Sequence, residues 1–234
     1  WEVLPVAVDA ETALDANTQV IHESLGDNLA WKRNVDFGDV DAACAAADHV
    51  IEDTFIFGRH TGVCLETRGL VADYESSEEQ LTVWHNNQCP HMIQNILATH
   101  YGLEEHRVRV ITRDVGGSFG IKVHTYADEI TTVGLSVMLK RPVKFIADRL
   151  ESFTSDIHAR DHRVKGKIAV KADGTITAFE IDDLTGVGPY SMYPRTSAIE
   201  ANQVVNMIGG PYLFENYRAE ANVVYQNKAM MCQY

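Results

Sequence analysis

The sequence predicts an α+β fold of mixed sheets with flanking helices, and three observations lead there. Short alternating runs recur from Val50 to the C-terminus, two longer stretches carry helical spacing, and a hairpin follows the helical section. Strict βαβα alternation, which a doubly wound parallel sheet requires, is missing.

WEVLPVAV reads as the tail of a strand and leads into a polar, irregular stretch. In GDVDAACAAADH, Asp39 is placed to cap a short Ala-rich helix. Residues 1–48 as a whole read as a lead-in arm from a preceding domain, and residues 49–234 as the first part of the domain that follows. HVIEDTFIF, GLVADYE and QLTVWHN are β-rich runs separated by turn residues and predict three strands.

CPHMIQNILATHYGL sets Met92, Ile93, Ile96, Leu97 and Tyr101 at helical spacing, with Gly102 as the C-terminal stop. RVRVITRDV puts Val108 and Val110 on one face of a strand and its arginines on or near the other. YADEITTVGLSVMLK carries Ile130, Val133, Leu135, Val137 and Met138 on a broad apolar face and ends in basic residues before Pro142, which predicts a second helix. PVKFIAD, RVKGKIAVKADGTITAFEIDDL and YRAEANVVYQN predict strands, with ADGT at 172–175 turning a hairpin because Asp-Gly supplies the positive φ a tight turn needs. ESFTSDI has little helical periodicity and reads as loop.

The 234 residues are 45% hydrophobic and 23% charged, ordinary globular composition. A net charge of −13 without a basic stripe argues against a nucleic-acid or anionic-membrane partner. There is no membrane-spanning run and no signal peptide, so the expectation is a soluble cytoplasmic protein. Cys44, Cys64, Cys89 and Cys232 form no C-x-x-C and read as reduced thiols, outside any zinc or iron–sulfur site. A start at Trp1 without Met and an end at KAMMCQY predict an excised piece of a longer polypeptide.

The motif that carries chemistry is DVGGSFGIK, Asp114 to Lys122. It contains G-x-S-x-G, the nucleophile elbow, between a predicted strand and a predicted helix. The triad partners in chain order, Asp148 with His158 or Asp156 with His162, crowd into one short stretch, and no HGGG-type segment precedes the loop. Ile121 and Val123 occupy the positions where a P-loop needs Gly and Ser or Thr, and G-x-G-x-x-G is absent. A glycine cradle remains, ahead of a helix whose start favours an anionic group, with a plain tight turn as the alternative. HARDH at 158–162 has the form H-x-x-D-H but lacks the Glu of a zinc motif, so its imidazoles read as solvated or hydrogen-bonded. His60, His85 and His91 are single histidines without metal spacing.

Taken in order, HTGVCLETRG (60–69), HNNQCPH (85–91), GGSFGIK (116–122), RPVKFIADRLESF (141–153) and QNKAMMCQY (226–234) resemble segments of the molybdenum-binding large subunit of the xanthine dehydrogenase and aldehyde oxidase family. ESFTSDIHARDH and VVYQNKA look most like the aerobic carbon monoxide dehydrogenase type. The resemblance implies that 49–234 is the first part of a molybdenum cofactor-binding domain. The cofactor would be a molybdopterin, in the cytosine dinucleotide form that bacteria usually use. It implies hydroxylation of a small-molecule substrate carbon with oxygen from water, and electron transfer to iron–sulfur and flavin partners.

Carried over by position, Gln88 would sit near the molybdenum through its amide, while Gly117, Ser118, Phe119 and Gly120 would line the pterin and metal face, Phe119 walling the pocket. Val123 stands where relatives acting on purines place Glu. No catalytic residue is expected within the chain, because the family's general base lies beyond it. The chain alone is expected to carry no cofactor and to self-associate through exposed apolar surface. Two other readings stay open, a serine hydrolase using Ser118 and a non-catalytic assembly homologue.

Overall fold

Sequence alternation resolves into two mixed sheets with flanking helices in the computed structural model, which describes residues 1–234. The elements are β1 (Leu29–Phe37), α1 (Val40–Ala45), β2 (His49–Phe57), β3 (Gly69–Glu75), β4 (Gln80–His85), α2 (Pro90–Tyr101), β5 (Val108–Ile111) and α3 (Ala127–Leu139). They continue with β6 (Val143–Ile146), α4 (Arg149–Ser155), β7 (His162–Val170), β8 (Ile176–Gly186), α5 (Ile199–Met207) and β9 (Asn216–Val224). The chain divides into two units. One comprises Trp1–His60, His158–Ser191 and Arg195–Gln233; the other comprises Thr61–Ile157, Met192–Pro194 and Tyr234.

The first unit is a five-stranded sheet in the order β1-β9-β8-β7-β2, with β8 and β9 parallel and the other pairs antiparallel. In β9, Tyr217, Ala219, Ala221 and Val223 point inward at every second residue and meet Val164, Ile181 and the α5 residues Ala201 and Val205. The Tyr217 hydroxyl, buried with its ring, donates to the Val205 carbonyl at 2.6 Å. Asp39 caps α1 through Ala42 N–H at 2.9 Å, as its position in the sequence predicts. Within the expected arm, residues 29–45 form β1 and α1 of this unit.

The second unit is a four-stranded sheet, β5-β4-β3-β6, with one face covered by helices. Leu70, Ala72, Leu81 and Val83 from β3 and β4 pack against Ile93, Ile96, Leu97 and Ala98 of α2 and Val133 of α3. β4 and β5 are parallel, and the crossover between them is α2. Pro90 opens that helix, and Gly102, left-handed at φ 65°, ends it by donating to the Ala98 and Thr99 carbonyls. Ile93 is 2% exposed, so Ile93→Val should cost about 0.5–1.5 kcal/mol, read as a lower urea midpoint at unchanged slope.

Three expectations need correction. WEVLPVAV forms no strand: Trp1–Val8 has no regular structure, since Pro5 interrupts the run and the segment is pinned at its end, Ala7 through paired bonds with Asn227 and the Val8 carbonyl by Gln226 Nε2 at 2.9 Å. The segment read as loop around ESFTSDI contains α4, held by a reciprocal cap in which Glu151 N–H donates to Asp148 and Asp148 N–H to Glu151. Its periodicity is weak because only Ser152 is buried. Finally, α5 lies in a stretch assigned no helix; its inner face includes buried Glu200, bonded to Arg160, which breaks the apolar stripe. No helix is long and apolar enough to cross a membrane.

Candidate functional site

The junction where β4 runs into α2 presents Gln88. Asn86 fixes the chain there: its Oδ1 accepts from Gly69 N–H at 2.9 Å and its Nδ2 donates to the Thr67 carbonyl at 2.8 Å. Asn87, 1% exposed, accepts from Cys89 N–H and turns the chain into the helix. Gln88 is left exposed, with its own N–H donating to the Lys122 carbonyl at 3.3 Å.

The glycine loop follows β5 in the same unit. Gly117 (φ 99°), Phe119 (φ 50°) and Gly120 (φ 85°) all sit in the left-handed region, which suits the glycines and costs Phe119. A Cβ on Gly120 would lie 2.5 Å from the Tyr234 backbone, so only glycine fits there. Such held-in-place conformations concentrate at binding sites. Below the loop, the Cys64 thiol donates to the Ser118 carbonyl at 3.3 Å; burial pushes that thiol above its ordinary pKa, against the pull of Lys122, and keeps it a neutral donor.

The loop and Gln88 meet through one side-chain oxygen. Gln88 Oε1 accepts from the Ser118 hydroxyl and from Gly120 N–H at 3.0 Å. Because both contacts are donors, the amide oxygen faces the loop and the amide NH2 faces away, with no protein acceptor. Gln88, Ser118 and Gly120 are thus joined directly, Gly117 immediately precedes Ser118 in the turn, and the Phe119 ring projects outward, 66% exposed.

Glu66 and Lys122 complete the arrangement, and sequence reasoning missed both roles although it quoted both segments. Glu66 Oε2 accepts from Gly116 N–H and from Lys122 Nζ, each at 2.8 Å. Burial acts to raise the Glu66 pKa, but bonds from Lys122, Gly116 and Asn86 outweigh it and hold the carboxyl below its usual range.

The helix-start part of the expectation fails. Gly120 leads into a 3-10 turn, Ile121–Val123, and α3 begins only at Ala127, so the loop N–H groups are not the first turn of a helix. The serine-elbow geometry fails with it. The Ser118 hydroxyl donates to Gln88 and accepts from Lys122 N–H at 3.3 Å, and no imidazole is bonded to it. In the five-stranded unit, His162 is buried with Nδ1 at 2.8 Å from Asp183, and no group of His, Cys, Asp and Glu in the chain could hold a metal ion.

Comparison with known proteins bears on this geometry. The family described as the molybdopterin cofactor-binding domain matches residues 21–234. The nicotine 6-hydroxylase large subunit of Paenarthrobacter nicotinovorans is 36% identical over 85% of this chain and 24% of its own length. The carbon monoxide dehydrogenase large chain of Afipia carboxidovorans is 31% identical over 98% of this chain and 30% of its own. The crystal structure of quinoline 2-oxidoreductase from Pseudomonas putida 86 superposes with a TM-score of 0.94 at 32% identity, covering 100% of this chain and 30% of that one. The chain therefore spans 24–30% of these relatives' length.

Proposed function

Because the chain belongs to the molybdopterin cofactor-binding domain family, within the molybdenum-binding large subunits of the xanthine oxidase kind, we propose that Gln88 and loop residues Gly117, Ser118, Phe119 and Gly120 hold the molybdenum cofactor. The observation that carries this assignment is the Gln88 amide, whose oxygen is committed to the loop and whose NH2 is left as a free donor. The residues present fit such a group. Its anionic parts need donors, and with the Gly116 and Gly120 N–H groups taken by Glu66 and Gln88, the loop offers the neutral backbone N–H groups of Gly117, Ser118 and Phe119. Lys122 is too buried and too firmly paired with Glu66 to act as a free cation.

When bound, the cofactor supplies two-electron redox chemistry. Gln88 Nε2 would donate a hydrogen bond to it, the loop backbone would orient it, and Phe119 would screen it from water. We infer the cytosine dinucleotide form, as the sequence resemblance implies. The complete subunit would oxidise a small-molecule substrate carbon with water-derived oxygen and pass electrons to iron–sulfur and flavin partners in the cytoplasm. The free cysteines are in keeping with a reducing compartment. Val123, where purine-oxidising relatives carry Glu, is 2% exposed and offers no polar clamp. With the names of the nicotine and quinoline enzymes, that supports a pyridine- or quinoline-type ring as substrate over a purine. Ile51, Phe55, Ile56 and Phe57 on the exposed edge strand β2 support a protein interface there.

The test is Ser118→Gly in the complete enzyme. The lost hydroxyl bond is worth about 1 kcal/mol, and Gly120 N–H still holds Gln88, so turnover should fall by no more than about tenfold. Abolished turnover at unchanged cofactor content, with covalent labelling of Ser118 by a fluorophosphonate, would establish a nucleophile instead.

A further inference from the structure

We propose that Glu66 and Lys122 are positioning residues, whose ion pair cinches loop 116–122 and sets Gln88 for cofactor uptake; the inference rests on the cofactor reading of that loop.

The geometry is a clasp. One atom, Glu66 Oε2, takes the N–H of Gly116 at the start of the loop and the ammonium of Lys122 at its end, each at 2.8 Å. Glu66 N–H donates back to the Gly116 carbonyl at 3.0 Å, so the first loop residue is held on both sides. Gly116 must be glycine for this contact: a Cβ there would lie 2.5 Å from Glu66 Cβ.

Lys122 transmits the clasp to Gln88. Its ammonium goes to Glu66, its N–H donates to the Ser118 hydroxyl, and its carbonyl accepts from Gln88 N–H, the last two at 3.3 Å. Moving Lys122 therefore moves the Ser118 hydroxyl, one of the two donors that orient the Gln88 amide, together with the Gln88 backbone.

The pair differs from an ordinary surface ion pair. The Lys122 side chain is 2% exposed while Glu66 is 40% exposed. Without its carboxylate, a buried ammonium must either lose its proton or draw the loop outward to reach water. The polar bonds of Lys122 end on Glu66, Ser118 and Gln88, outside the apolar core between β3, β4 and α2, so releasing it loosens the site before the sheet.

The experiment compares wild type, Glu66→Gln and the charge-free pair Glu66→Gln/Lys122→Met in the complete subunit. Hydrogen exchange of a peptide spanning 112–124 is read on protein prepared without cofactor, with α2 as the fold control, and molybdenum content is read on protein prepared with it. Glu66→Gln should exchange about tenfold faster at Gly116–Lys122 with α2 unchanged, and should lose most of its molybdenum. If the single variant loosens α2 too, the paired variant, which strands no buried charge, decides by the same readings. Unchanged loop exchange overturns the clasp, and a loosened loop with full molybdenum overturns its positioning role. Wild-type protein that is folded but takes up no molybdenum, beside a loosened variant loop, contradicts the cofactor reading while the clasp stands.

Discussion

Gln88→Ala in the complete subunit should lower turnover by about two orders of magnitude, the cost of removing one preorganised donor that acts on developing charge. Alanine removes two things, the free NH2 and the oxygen that accepts from Ser118 and Gly120. Gln88→Glu separates them. Its carboxylate still accepts both loop donors but cannot donate outward, so a turnover as low as that of alanine assigns the effect to the amide NH2. Wild-type turnover in the glutamate variant at full molybdenum loading would show that Gln88 only braces the loop.

Arg68→Met should destabilise the four-stranded unit by about 3–5 kcal/mol, the range for removing one partner of a buried ionic network. Arg68 is 1% exposed, and its five N–H groups all have acceptors: Asp156 (2.6 Å), Asp128 twice (2.8 Å each), Glu129 (3.0 Å) and Ser155 (2.9 Å). Its guanidinium carbon also stands 3.7 Å from the Tyr126 ring centre. Burial would lower its pKa, but the carboxylates outweigh burial and hold the guanidinium firmly charged. Methionine keeps much of the volume and leaves three carboxylates without their cation.

The pH dependence has a definite sign. Burial already raises the Asp156 pKa, with Arg68 opposing it, so removing Arg68 raises it further. A group whose folded pKa lies above its unfolded value favours the folded state at low pH and loses that contribution as pH rises. The deficit of Arg68→Met should therefore shrink as pH falls from neutrality towards the ordinary carboxylate range. Urea midpoints at two pH values check this, and a deficit that grows on acidification would contradict it.

Much of the fold was legible because the residues repeat with the period of the element they build. β9 alternates along its length, α2 has its Pro start and Gly stop, and Asp173-Gly174 turns the β7–β8 hairpin with Gly174 at φ 88°. The missed helices lack that periodicity: α4 rests on the Asp148–Glu151 cap, a D-x-x-E signal left unread, and α5 turns Glu200 inward. In the candidate site, the order of the segments singled out Gln88 and the glycine loop, which the structure joins by hydrogen bonds. Glu66, Lys122 and Arg68 were not, because an ion pair between positions 56 residues apart has no local signature. The likeness to the carbon monoxide enzyme, expected from ESFTSDIHARDH and VVYQNKA, is found along 98% of this chain, beside a nicotine hydroxylase of higher identity over 85% of it.

The most direct test of the central claim is the molybdenum content of the complete, folded subunit produced in a host that makes the cofactor. Stoichiometric molybdenum in wild type, lost in Gly120→Ala because the added Cβ meets the Tyr234 backbone at a left-handed φ, is the expected result. Folded wild-type protein without molybdenum, or a Gly120→Ala variant that retains it in full, would contradict the assignment of this loop.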